Sequence, residues 1–95
     1  MKLSFKVYSQ SGAIFAADSV MEKSCGLVLV GEVQNSSLLE GDTIGIQTGD
    51  KMPIYDTVKR IELDHEKIVE ATEGMVVGVC LDATTKEGLL QYLGK

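Results

Sequence analysis

Asp64-His65-Glu66 is the one place in this 95-residue chain where acid–base side chains cluster, and it holds the only histidine. General acid–base catalysis needs such groups converging on a bound substrate. Consecutive residues of an extended segment point to opposite faces, so the triplet reads as a solvated turn. Metal chemistry is equally unsupported. Cys25 and Cys80 have no CxxC spacing and one histidine between them, short of the about four ligands that zinc takes. Asp42, Asp50 and Asp56 fall at turn positions, where aspartate bonds nearby backbone, and no loop has calcium-ligand spacing. Ser9, Ser11 and Ser24 lack a GxSxG setting for a nucleophile, and no GxxxxGK(S/T) phosphate loop occurs. The residues therefore predict no catalytic residue, no cofactor and no metal, and a protein that is not an enzyme.

The elements that carry these residues are short and apolar in alternation. Residues 2–8 set Leu3, Phe5 and Val7 against Lys2, Ser4 and Lys6, the period of a half-buried strand. Ser9-Gln-Ser-Gly12 supplies a turn, and 13–23 predicts strand with a bend or bulge at Asp18-Ser19. The clearest strand is 26–34, bounded by Asn35-Ser36-Ser37. Gly41-Asp42 opens a strand over 43–48, and Gly49-Asp50-Lys51 reads as a hairpin loop. Pro53 cannot donate within a ladder, so the next strand starts at or after Ile54 and runs to Leu63. Met75-Val-Val-Gly-Val-Cys-Leu81 is continuously apolar, which predicts burial on both faces. Thr84-Thr-Lys-Glu87 matches a capping box ahead of Leu89, Leu90 and Leu93, with Gly94 where a helix would stop. Five or six strands and a terminal helix make an all-β fold, a small closed or nearly closed Greek-key-type β-barrel with a short carboxy-terminal helix. Residues 1–95 form one domain, 1–12 being an extra strand and turn and 84–95 the helical end.

Composition narrows the partners. Hydrophobic residues at 44% and charged residues at 24% are those of a globular chain, and the net charge of −5 opposes nonspecific binding to nucleic acid. Lys59-Arg60 is the nearest basic patch, flanked and offset by Asp56 and Glu62. The amino terminus has no secretory pattern, and no segment has the roughly 18–20 apolar residues of a membrane helix, which predicts a cytoplasmic protein without a membrane partner. In a reducing compartment Cys25 and Cys80 read as small buried hydrophobes, a contact across the barrel and a redox role being the alternatives.

Three blocks carry a family resemblance. Gly26, Val28, Gly31, Val33, Leu38, Gly41, Asp42, Ile44 and Ile46 stand in register with a Gly-x-Val-x-x-Gly-x-Val segment that leads, through a third glycine and an aliphatic residue, to Gly-Asp-x-Val-x-Ile. Ser36 occupies the place of the third glycine. Val58-Lys-Arg-Ile61-Glu-Leu63 and Ala71-Thr-Glu-Gly74-Met-Val-Val-Gly78-Val-Cys-Leu81 follow in order. Over residues 20–83 the chain resembles the second domain, a β-barrel, of translational GTPases such as elongation factor Tu and initiation factor 2, here standing alone.

The resemblance implies a translation-factor-like interaction module whose partner is a protein, or alternatively RNA of the tRNA or ribosomal kind. In elongation factors a glutamate and, three residues later, an arginine line the pocket for the aminoacylated tRNA end. Glu62 fits the glutamate, while His65 replaces the arginine and lacks a guanidinium's bidentate grip. Glu62 and His65 are thus the candidate RNA or ligand contacts. The family's closing strand is replaced here by the helix-like end. The added amino-terminal strand is expected either to fill the open barrel edge or to pair with a second copy as a homodimer.

Overall fold

Among the described residues the alternation of apolar and polar residues becomes nine strands and one helix. The computed structural model describes residues 2–94. In chain order these are β1 (Lys2–Ser9), β2 (Ile14–Lys23), β3 (Gly26–Asn35), β4 (Ser37–Leu39), β5 (Thr43–Ile46), β6 (Ile54–Leu63), β7 (Glu66–Ile68), β8 (Glu70–Thr72), β9 (Val76–Leu81) and α1 (Lys86–Leu93). Six of them close an antiparallel barrel in the order β5-β1-β2-β3-β9-β6, with β6 pairing back to β5. β7 adds to β6 as one extra strand, and β4 pairs with β8 as a separate two-stranded ribbon. The connection from β3 carries the chain past the barrel end and returns it as β5 beside β1, a Greek-key order.

β1 fills the barrel edge. It pairs with β2 on one side and, through Val7, Tyr8 and Ser9, with β5 on the other. The side of β1 that a second copy would use over those three residues is taken up within the chain. Over those residues closure leaves no free edge.

Inward-pointing residues fill the interior. Val7, Phe15, Leu29, Val33, Ile44, Ile46, Val58, Ile61, Val79 and Leu81 form one buried cluster, and Leu89 from α1 joins it. β2 and β3 approach closely at Gly31. Register slips between Ala17 and Ser19, leaving Asp18 as a bulge at the expected bend. That bulge lays the β2 backbone against Gly31, where an added Cβ would sit 2.0 Å from the Ala16 carbonyl oxygen. Only glycine fits there.

Turn chemistry accounts for the joints. Gly41 takes φ 92°, a left-handed conformation natural to glycine, and lets Asp42 fold back. The buried Asp42 carboxylate accepts from Ser11 Oγ at 2.7 Å and from the Leu39 N–H at 3.0 Å, tying the β1–β2 turn to the β4–β5 turn. Ser36, at the third glycine's place, also has a left-handed φ of 58°. β6 begins at Ile54, directly after Pro53, as expected.

Three expectations are corrected. Burial on both faces holds only for the second half of β9, since Val76 is 59% exposed while Val77, Val79, Cys80 and Leu81 are buried. The helix cap is Thr85, not Thr84: Thr85 Oγ1 accepts from the Gly88 N–H at 3.0 Å, and Gly94 ends the helix in a left-handed conformation. The cysteines are joined rather than free. Cys25 lies in the two-residue turn between β2 and β3, Cys80 lies in β9, and they form a disulfide. That contact is the alternative the sequence left open.

Candidate functional site

Because the interior is filled, the surfaces open to a ligand lie on the outer barrel face. The first is the depression that holds Glu62 and His65. Glu62 comes from the end of β6, and His65 from the turn Asp64-His65, where both residues take positive φ and join β6 to β7 as a tight hairpin. The two residues share a shallow depression of about 230 Å³ with Lys23, Met21 and Val76. Glu62 is already engaged, its oxygens lying 3.4 Å from Lys23 Nζ and 2.9 Å from Arg60 Nε. This side chain is an anchor for two cations, and His65 is exposed beside it. Asp64 and Glu66 are likewise exposed, so the acid–base triplet does not converge on a pocket.

Lys59-Arg60 is offset by Glu62 as expected, but not by Asp56. Arg60 turns to Glu62, and Lys59 Nζ donates to the Cys25 carbonyl oxygen at 3.1 Å. Asp56 balances neither. It is only 8% exposed and accepts from the N–H groups of Thr57 at 2.7 Å, Ala83 at 3.1 Å and Thr84 at 2.7 Å, and from the Thr84 hydroxyl. Burial pushes the Asp56 carboxyl up, but the Thr84 hydroxyl and the three N–H groups outweigh it and hold it below the ordinary value of 3.8. Its position in β6 rather than in a turn corrects the sequence reading. Asp56 is a structural clamp between β6 and the segment that leads into α1. Among the described residues no three metal-ligating side chains come together, and no helix is long and apolar enough to cross a membrane.

The second surface was missed by residue chemistry. Tyr8 on β1, Gly45 on β5 and Tyr55 on β6 are direct cross-strand partners, so the three stand in one row across the outer face. Tyr8 is 48% and Tyr55 70% exposed. The Tyr55 ring leans over the glycine, whose added Cβ would lie 3.3 Å from its Cε1. The row floors a cleft of about 330 Å³ edged by Gln10, Thr43, Gln47 and Pro53. A signal for it exists in the sequence. Leu3, Phe5 and Val7 face inward, so Tyr8 is an aromatic on the outward phase, where a polar side chain is the default.

The chain is a closed six-stranded antiparallel β-barrel with an exposed tyrosine row on its exterior. Compared with known families and with curated proteins, the sequence matches no family model and no curated protein.

Proposed function

We propose that this chain is a non-enzymatic β-barrel acting as a protein-interaction module, translation-factor-like in the sense of the resemblance above. The observation that carries the reading is the Tyr8–Gly45–Tyr55 row. Tyrosine offers a large, rigid contact area with a polar tip, and it is enriched where proteins bind proteins. Two of the chain's three tyrosines stand together in the open on one face. A photo-crosslinking phenylalanine placed at Tyr55 in the source cell is expected to give discrete protein adducts. The same probe at Val76, exposed on another face, is expected to give none of them. No adduct at Tyr55, or adducts to RNA alone, would remove the reading.

The second reading is RNA binding through the Glu62 and His65 depression. It is supported by the meeting of those two residues beside Lys23, and opposed by the net charge and by the commitment of Glu62 to two cations. Filter binding against tRNA and ribosomal RNA at low salt tests it. Absence of binding at micromolar protein rejects it. A cytoplasmic location belongs to the same proposal, and the Cys25–Cys80 bridge is the feature that weighs against it, since disulfides persist mainly in oxidising compartments.

A further inference from the structure

We infer that the Tyr8–Tyr55 cleft binds a proline-rich peptide in the polyproline II conformation, a step that rests on the protein-interaction reading and names its partner class. Spacing is the first argument. Neighbouring strands lie about 4.8 Å apart, so the backbones of Tyr8 and Tyr55, two strand steps apart on one face, are about 10 Å apart, with the Tyr55 ring leaning inward over Gly45. A polyproline II helix has three residues per turn and rises about 3.1 Å per residue, which brings equivalent side chains back to the same face every 9 Å or so. That repeat is of the order of the row's length, so residues i and i+3 of such a peptide span the row from Tyr8 to Tyr55.

Hydrogen bonding is the second argument. Proline offers a carbonyl acceptor and no N–H donor, and the backbone of this helix makes no internal hydrogen bonds. The cleft presents donors that fit: the phenols of Tyr8 and Tyr55, the Thr43 hydroxyl and the Gln10 amide. The Gln47 amide is held by the Lys51 carbonyl oxygen at 3.1 Å.

Charge is the third. Among the described residues, no Asp, Glu, Lys or Arg lines the cleft. A nucleic-acid strand would find rings to stack on but no cation for its phosphates, on a chain of net charge −5. An uncharged proline-rich segment meets no such penalty, and aromatic-lined grooves are the surfaces on which such segments dock.

The test is an amide-resolved NMR titration of the intact chain with decaproline, with a Gly-Ser peptide of equal length, and with a ten-nucleotide uridine strand. Decaproline is expected to cause saturable shifts confined to β1, β5 and β6 around Tyr8, Gly45 and Tyr55, with no response to the other two probes. Tyr55→Ala, an exposed substitution, should weaken binding at least tenfold and keep the dispersed spectrum of the folded chain. Tyr55→Phe keeps the ring and should stay within a few fold of the parent. Absence of shifts at millimolar decaproline overturns the proposal. Shifts elsewhere on the barrel, binding unchanged in Tyr55→Ala, or a response to the uridine strand instead also overturn it. If decaproline fails while the probe at Tyr55 still captures protein, the interaction reading survives with a partner of other chemistry. If both fail, both fall.

Discussion

Asp56 shows how much a single side chain can organise. Its carboxylate closes the loop after β9 onto β6 by receiving two N–H groups and a hydroxyl from Ala83 and Thr84. Burial disfavours the charged form, yet these bonds and that of Thr57 favour it more, so the folded chain holds this proton less tightly than the unfolded chain does. Below the ordinary value of 3.8 the unfolded state therefore binds more protons, and stability rises with pH through that window. The contribution is complete above about pH 5 and is lost as pH falls through the lowered folded value. Asp56→Asn is expected to cost about 2 kcal/mol at pH 7, the scale of charge-assisted hydrogen bonds. Urea melts should show that deficit shrinking toward pH 3, and an equal deficit at both pH values would rule the clamp out. The sequence suggested a turn aspartate here, because aspartate is common in turns. Its partners lie far along the chain, and such pairing is invisible to local pattern. The outward phase of Tyr8 is legible, but its row with Tyr55 is hidden for the same reason, since neither tyrosine announces a neighbour on another strand.

Elements were legible where local chemistry alone decides them. Pro53 set the start of β6, Asp18-Ser19 gave the bulge of β2, and Gly94 the end of α1, since missing donors, bulges and left-handed caps are properties of a few adjacent residues. Length and exposure were less legible: β4, β7 and β8 are three-residue strands that exist only through their partners. The helix start shows how two good local candidates are separated by tertiary context. Thr84 and Thr85 both suit a cap, and Thr84 is drawn away by Asp56, leaving Thr85 to receive the Gly88 N–H. Thr85→Ala is expected to cost about 1 kcal/mol by freeing that donor. Thr84→Ala should also destabilise the chain, and it alone should reduce the acid sensitivity set by Asp56. Paired denaturation curves at pH 7 and pH 3 separate the two roles. A pH-dependent deficit in Thr85→Ala, or none in Thr84→Ala, would reverse the assignment.

At the scale of the whole molecule, closing the barrel requires distant segments to meet, with β1 paired to β5 and β3 to β9. Such closure costs loop entropy before its contacts form. The Cys25–Cys80 bridge reduces that cost in the unfolded chain, linking residues 55 positions apart beside the pairing of Val28 with Cys80. In the chain-entropy account a loop of this size is worth about 4 kcal/mol, and native bridges deliver about 2–4. Domain stabilities are only about 5–15 kcal/mol, so the bridge is a large share of the total. Guanidinium melts of the oxidised chain and of Cys25→Ser/Cys80→Ser are expected to differ by about 2–4 kcal/mol. The double variant should still fold at 25 °C, because the buried cluster from Val7 to Leu89 is untouched. A difference within error would show that the bridge adds nothing to the strand pairing beside it. The same bridge tests location directly. Rapid alkylation of the source cell is expected to find both thiols free if the protein resides in a reducing cytoplasm, and to find them protected if it matures in an oxidising compartment. Protected thiols would turn the cytoplasmic proposal around and leave the barrel, and its tyrosine row, to meet a partner outside the cytosol.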